Sequence, residues 1–352
     1  MVKKLKIGWF LTAYGALGGV RSVIETGNSL IREGHDFYVL GNVGSGKSPF
    51  CSDIIPIENH IPFNLYGDDS VQINNQNMLK NLFEFDILFN QDPVTMWLSD
   101  YVNAKIKVIH YCAGTGECYE KYRDIDAVRT SCSKLLFNVS QKHDADNLYK
   151  KYFIGQGINF QEFYPMSYQD SMYRKARDNK KINVLCCGSR GGQRKSNKGT
   201  YDIIEASLLL DPDKYNFIYF DLTRQDFPDN FRCIQTIGHQ NTLSNVYAVA
   251  DIYVAPDYVS AWNCCAGEAM ACKKPVICST QGIQDFGKDG ENCLIYNENL
   301  ENSPALLAEK IELLSNNDDL RKTIEQNGYE NIKNFTWNNV SDRIVDIANK
   351  LL

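Results

Sequence analysis

Short apolar runs alternate with segments of helical period from one end of the chain to the other. LKIGWFL (5–11) reads as a strand, and Val20, Val23, Ile24 and Ile31 fall on one face of a helix. FYVLGN (37–42), DILFN (86–90) and KVIHY (107–111) follow as β-rich runs. The second half repeats this alternation, with INVLCCG (182–188), a helix from Thr200 to Leu210, then FIYFD (217–221) and IQTIG (234–238). DIYVAP (251–256), a helix around Gly267 to Cys272 and PVICS (275–279) come next. Segments 303–315, 317–333 and 337–352 are helical by period. Alternation of this kind in both halves predicts an α/β protein with two parallel-sheet domains of the Rossmann type.

Length agrees, because 352 residues at ~100–200 per domain make about two domains, each with its own core. No apolar run approaches the ~20 residues that cross a bilayer. Lys3, Lys4 and Lys6 before an apolar stretch resemble the start of a signal peptide, but Thr12, Tyr14 and Gly15 interrupt it, and a buried first strand fits better. The formal net charge of −6 disfavours a nucleic-acid partner, which calls for basic surface. The 12 cysteines sit within apolar strands and helices, with no C-x-x-C spacing, and the five histidines are scattered. Reduced thiols in a cytoplasmic protein, and no metal, are the expectation.

The seam between domains is expected near Gly155-Gln156-Gly157-Ile158-Asn159. That gives an N-terminal domain over 1–163, a second over 164–335, and a closing helix over 336–352. Gly41 to Ser48 matches the phosphate-loop pattern G-x-x-x-x-G-K-S, directly after a strand. Such a loop needs a helix starting at its lysine; Pro49 fits a first helical turn, but Pro56 and Pro62 leave no room for a supporting helix. A plain glycine-rich loop is the better reading.

Three stretches carry candidate chemistry. Gly18-Gly19 opens the first helix, where glycines let backbone amides approach anionic oxygens. Gly188-Ser189-Arg190-Gly191-Gly192-Gln193-Arg194-Lys195-Ser196-Asn197-Lys198-Gly199 is a basic, glycine-rich strand-to-helix loop in an acidic chain, suited to clamping a diphosphate. In the stretch from Ala255 to Ile277, Glu268 is a carboxylate among small apolar residues. It is costly to bury unless hydrogen-bonded, and the vicinal hydroxyls of a ribose would do this; a surface glutamate on a helix is the alternative.

DIYVAPD…GEAMACKKPVI, QGIQDFGKDGENCLIY, the late Phe335-Thr336-Trp337, GQGINFQEFYP and IGHQNTLSNVYAVADIYVAP together resemble the retaining GT-B glycosyltransferases of glycosyltransferase family four. The resemblance runs over essentially the whole chain. It implies two Rossmann-like domains facing across a cleft, a C-terminal helix returning to the N-terminal domain, and a nucleotide-sugar donor held mainly by the second domain. By position, Glu268 is the second acid of the family's E-x7-E motif, on the donor ribose, and Lys198 is the lysine of its phosphate site. Gly19 lies under the donor phosphates, and His110 ends a strand near the transferred sugar. Ile237 and Gly238 meet the base, while the amides of Cys264 and Cys265 touch sugar and phosphate.

This chain also departs from the family pattern. Ser260 stands where the first acid of E-x7-E belongs, followed by Ala261-Trp262-Asn263 in place of Gly-Phe-Gly, so Ser260 and Asn263 complete the donor set with altered chemistry. Arg190 is one place after the expected arginine, with Arg194 as competitor for the second phosphate ligand. Gln281 replaces a glycine, and Asp285 a glutamate, in the later signature. The resemblance implies metal-independent hexosyl transfer with retention, without cofactor, as in polysaccharide biosynthesis. The donor would be a UDP- or GDP-type ribonucleotide and the acceptor a glycan or lipid-linked molecule. The alternatives are a catalytically degenerate binding subunit, motivated by Ser260, and a sugar-nucleotide epimerase or hydrolase on the same fold. Lys142, Lys150 and Lys151 with Tyr149 and Phe153 read either as an ordinary helix end or as a peripheral contact with the inner face of a membrane.

Overall fold

The computed structural model describes residues 3–11, 18–42, 54–63, 84–91, 102–112, 125–143, 149–188, 198–221, 227–236 and 243–352. The chain divides into two compact units, Met1–Gly157 with Thr336–Leu352, and Ile158–Phe335.

The first unit is built on β1 (Lys6–Leu11), β2 (Asp36–Asn42), β3 (His60–Phe63), β4 (Glu84–Asn90), β5 (Asn103–Tyr111), β6 (Val128–Ser131) and β7 (Lys151–Phe153). These form one parallel sheet in the order β3-β2-β1-β4-β5-β6-β7. β1 lies inside the sheet and is buried from Ile7 to Leu11, so the lysines ahead of it lead into a core strand. Parallel strands need crossovers, and α1 (Gly18–Arg32) makes the first, while α2 (Lys134–His143) follows β6.

The last helix, α8 (Trp337–Leu351), belongs to this unit although it comes last in sequence. Its stripe of Trp337, Val340, Ile344, Ile347 and Ala348 is buried in one cluster with Val23, Ile24 and Leu30 of α1 and with β1 and β2. The Thr336 side chain caps it, accepting from Asn339 N at 3.2 Å. Polar contacts fix its position: Ser29 and Ser341 hydroxyls meet at 2.9 Å, Ser341 also donates to the Glu33 carboxylate, and Arg343 donates to Ile154 O at 2.8 Å. The C-terminal helix is thus part of the N-terminal unit's core.

The second unit runs β8 (Ile182–Cys187), α3 (Thr200–Leu209), β9 (Tyr215–Asp221), β10 (Phe231–Gln235), α4 (Ser244–Ala248), β11 (Ile252–Ala255), α5 (Cys264–Ala271), β12 (Val276–Cys278) and β13 (Leu294–Ile295). It closes with α6 (Ser303–Asn316) and α7 (Asp318–Ile332). The sheet is again parallel, in the order β10-β9-β8-β11-β12-β13. Both sheets therefore reverse direction beside their first strand, between β1 and β4 and between β8 and β11, which is the Rossmann topology. In such sheets the carboxyl ends of the strands around the reversal form the ligand-binding edge.

Several elements differ from the periodic pattern. α1 starts at Gly18 and α5 at Cys264, in both cases earlier than the first apolar repeat, because small residues begin both helices and Asn263 caps the second. β3, β6, β7 and β13 are two to four residues long, too short to stand out as apolar runs. Most of the phosphate-loop look-alike, including Lys47, lies outside the described residues, which resume at Ile54 with a short 3-10 turn (Ile57–Asn59) leading into β3.

Because Ile344 is fully buried between α8 and α1, Ile344→Ala should cost about 2–5 kcal/mol. Urea unfolding followed by hydrogen exchange should show the loss in the first unit, with protection of β8, β9 and β11 unchanged.

Candidate functional site

A cluster of buried polar side chains lies in the second unit, where β8 and β11 end. β11 stops at Ala255, and Pro256 leads to Asp257, whose side chain is only 5% exposed. A carboxylate so placed needs partners. Lys198 supplies one, its ammonium 2.6 Å from Oδ1, and Asn263 Nδ2 donates to Oδ2 at 3.0 Å. The Asp257 carbonyl accepts from Ser279 Oγ at 2.5 Å, tying the loop to the end of β12. Burial works against the charge on Lys198, but Asp257 foremost and then Cys265 outweigh it, so its pKa is raised and the cation is secure. The Lys198 side chain remains 42% exposed.

Gly199 explains how Lys198 gets there. It caps α3 with φ of 60°, in the left-handed region, and an added Cβ would sit 1.7 Å from Pro256 O. Only glycine lets the start of α3 lie so close against the end of β11. Asp202, in the first turn of α3, is fully buried and accepts from Tyr258 Oη at 2.8 Å and Tyr296 Oη at 3.1 Å. These bonds hold the α3 terminus to the loop after Asp257 and to the residue following β13.

Asn263 links this corner to α5. Its Oδ1 accepts from Ala266 N at 3.1 Å as the helix N-cap, while its own N–H donates to Gly282 O at 2.7 Å. Gly282 has φ of 72°, and a Cβ there would meet Ser260 Oγ at 2.7 Å. Ser260, Asn263 and Gly282 are thus packed together. Cys264 and Cys265 begin α5, and Cys265 interacts with Lys198, Asp257, Cys187 and Tyr253.

Glu268 lies one turn further along α5 and is buried, so it is not a surface side chain. Tyr247 Oη donates to its Oε2 at 2.8 Å. Burial and then the neighbouring carboxylate push the Tyr247 phenol far up, so it stays protonated as a donor. The cost of burying Glu268 is therefore met in part within the protein, whereas the sequence alone suggests a ligand hydroxyl.

Glu298 is a further buried carboxylate, and nothing in its local pattern singles it out. It accepts from Thr280 N (3.0 Å), Thr280 Oγ1 (2.8 Å), Gln281 Nε2 (2.9 Å) and Asn299 Nδ2 (3.0 Å). Burial raises its pKa, but the Thr280 and Gln281 donors outweigh this and leave it below the ordinary glutamate value. Gln281 is thereby held by Glu298 rather than presented as a free side chain.

In the first unit, Gly19 sits in the first turn of α1, 4.0 Å by its missing Cβ from Gln91 Nε2 after β4. His110 lies on β5, 3% exposed, with Nδ1 2.9 Å from Thr130 Oγ1 and its ring edge-on to Trp9. Burial drives its pKa down to about 3. It is a neutral hydrogen-bonding group at physiological pH and not a proton carrier. Arg190, Arg194, Ile237 and Gly238 lie outside the described residues. Sequence reasoning misses Asp257, the partner of Lys198, as a site residue, although an aspartate ending a buried strand beyond a proline is a readable signal. No helix among the described residues is long and apolar enough to cross a membrane.

Since the folded pKa of His110 is below 6.5, its contribution to stability is complete above that pH and is lost as the pH falls toward 3. An NMR titration from pH 8 to 5 should leave the His110 ring signals unmoved. A midpoint near 6.5 would contradict the burial.

Residues 221–317 match the family model of the glycosyl transferases group 1. An uncharacterized glycosyltransferase of Methanocaldococcus jannaschii is 34% identical over 112 residues, a segment that spans 31% of this chain and 31% of that relative. Among solved structures, the sucrose-phosphate synthase of Thermosynechococcus elongatus matches with a TM-score of 0.75 at 16% identity, over 99% of both chains. The Anabaena protein HepE, solved in complex with UDP-glucose, matches with a TM-score of 0.73 at 16% identity, over 98% of this chain and 100% of that one. The whole-chain likenesses establish a GT-B fold of two Rossmann-like parallel-sheet domains, and the 221–317 segment of the second unit carries the group 1 glycosyl transferase sequence pattern.

Proposed function

We propose that the protein is a glycosyltransferase that moves a hexosyl group from a nucleoside diphosphate sugar to a glycan or lipid-linked acceptor, with retention and without a metal ion. The observation that carries this reading is Lys198, whose ammonium is held by buried Asp257 and whose side chain is 42% exposed, where β8 and β11 end. A fixed cation there suits the negative charge that grows on a diphosphate as the anomeric bond breaks. Start-of-helix amides at Cys264 and Cys265 add donors of the kind that favour phosphate oxygens. The HepE complex with UDP-glucose supports a nucleotide-sugar donor on this fold.

In this reading Lys198, together with Arg190 or Arg194, holds the leaving diphosphate. The departing phosphate itself assists deprotonation of the acceptor. Neutral His110 positions the sugar by hydrogen bonding, in keeping with its low pKa. Glu268, kept in place by Tyr247, binds the donor ribose, and Ile237 and Gly238 meet the base. Ser260 faces the sugar, and Asn263 acts through Asp257 and the start of α5. Ser260 also motivates a second reading, a binding subunit without turnover, because a hydroxyl replaces the acid that the family pattern carries there.

Lys198→Ala should reduce acceptor-dependent nucleotide release by about 10²–10³-fold, as removal of one transition-state donor does elsewhere. It should also lower the melting temperature because buried Asp257 loses its cation, so activity is read at a temperature where circular dichroism shows the variant folded. Wild-type turnover should persist in EDTA. Undiminished activity of the variant would remove the clamp from the proposal. Donor binding without release of nucleotide in any acceptor mixture would favour the binding subunit.

A thermal-shift panel of UDP-, GDP- and ADP-sugars should give one stabilising class, since a ligand that binds only the native state raises its melting point. Glu268→Gln should chiefly weaken that shift. Equal stabilisation by a thymidine diphosphate sugar would count against the ribose contact.

A further inference from the structure

The loop after β12 holds a carboxamide whose orientation is set by its neighbours. Burial works against the charge on Glu298, but the Thr280 and Gln281 donors outweigh it, so Glu298 is an ionised group that can only accept. The Thr280 hydroxyl gives its single proton to this carboxylate, 2.8 Å from Oε1 and 3.0 Å from Oε2. Its lone pairs are left to accept. Gln281 Nε2 donates to both groups, to Glu298 Oε1 at 2.9 Å and to Thr280 Oγ1 at 3.2 Å. Turning the amide over would set its oxygen against a carboxylate oxygen and a hydroxyl with no second proton. The nitrogen therefore faces Glu298, with both of its N–H groups in use.

The oxygen of the same carboxamide, Gln281 Oε1, has no hydrogen-bond partner among the described residues, and the residue is partly exposed. The backbone on either side of it is fixed. Gln281 N donates to Ser279 Oγ at 3.3 Å, and Ser279 Oγ donates in turn to Asp257 O at 2.5 Å. On the other side, Gly282 O accepts from Asn263 N at 2.7 Å, and a Cβ on Gly282 would meet Ser260 Oγ at 2.7 Å. Gln281 thus stands beside the corner formed by Asp257, Ser260 and Asn263.

We propose that Gln281 is a specificity-determining residue for the transferred sugar: its carboxamide oxygen, locked by Glu298 and Thr280, accepts a hydrogen bond from one sugar hydroxyl. This rests on the glycosyl-transfer reading and adds to it the group that discriminates among hexoses. Ser260 does not do so alone, because a hydroxyl that rotates can donate or accept and so meets sugar hydroxyls of either configuration. An acceptor that cannot turn is left unpaired by a sugar whose hydroxyl is missing or points elsewhere, and it selects against that sugar.

Isothermal calorimetry on the full chain tests this with the glucose, galactose and mannose conjugates of UDP, GDP and ADP, and with the three parent diphosphates. The 2-, 3-, 4- and 6-deoxy analogues of the best-bound conjugate complete the series. In the wild type one deoxy analogue should bind about three- to tenfold more weakly than the intact sugar nucleotide, the effect of losing one neutral hydrogen bond. Gln281→Leu should bind the intact sugar nucleotide about three- to tenfold more weakly than the wild type does. It should also erase the difference between that conjugate and the deoxy analogue, with affinity for the parent diphosphate unchanged. Equal weakening of sugar nucleotide and parent diphosphate would mark a merely structural role and overturn the proposal. Unchanged affinity of the variant for the sugar nucleotide would overturn it too. Deoxy analogues that all bind the wild type as tightly as the intact conjugate would do so without recourse to a variant. Failure of the wild type to bind any of the diphosphates would overturn the glycosyl-transfer reading, and this proposal with it.

Discussion

A carboxylate removed from water must be paired, and much of the second unit's binding edge follows from how Asp257 meets that requirement. Its two oxygens are satisfied from two directions, by Lys198 at the start of α3 and by Asn263 at the start of α5. The pair therefore does more than stabilise a loop. It fixes the distance between two helix starts that flank the end of β11. It also sets a cation there whose charge is protected by its partner even though nearly half of its side chain meets solvent. Breaking the bridge would strand a buried carboxylate, so it matters for stability as well as for position.

Backbone constraints make that position possible. Without a Cβ at Gly199 the chain can pass against Pro256 O, and without one at Gly282 the later loop can close on Ser260 and Asn263. The carboxylates Asp202, Asp257 and Glu298 then act as anchors, each accepting hydrogen bonds from elements distant in sequence. A parallel sheet brings its strand ends together at one edge but does not specify the loops beyond them. In this unit those loops are specified by buried acceptors.

The sequence is most legible where periodicity is long. α8 can be read because a stripe of Trp337, Val340, Ile344 and Ile347 repeats at helical spacing, and its return to the first unit follows from that stripe needing a core. β1, β2, β8 and β9 can be read as apolar runs of six or seven residues. β7 and β13, at three and two residues, exist because neighbouring strands offer them hydrogen bonds, and no local pattern announces them. The candidate site divides in the same way. Lys198 and Glu268 stand out by motif, but Asp257, Tyr247 and Glu298 are defined by contacts 18 to 59 positions away in the chain. The buried state of His110 is equally hidden, since a histidine ending an apolar strand reads the same whether neutral or charged.

The departures at Ser260 and Gln281 gain a physical meaning once they are seen together. Gln281 precedes Gly282, whose carbonyl accepts from Asn263 and whose α-carbon lies against Ser260. Its side chain is turned to Glu298, which also receives the Thr280 backbone and hydroxyl. An acid at 260 would bring another negative charge into a unit whose buried carboxylates Asp257 and Glu298 already require donors. A serine there brings a hydroxyl that can donate or accept without charge. Position 260 thus carries a neutral hydroxyl packed against Gly282 and Asn263, close to the firmly held Lys198–Asp257 pair. Under the proposed function, selectivity for the sugar and affinity for the diphosphate would then rest on separable residues, Ser260 for the first and Lys198 for the second.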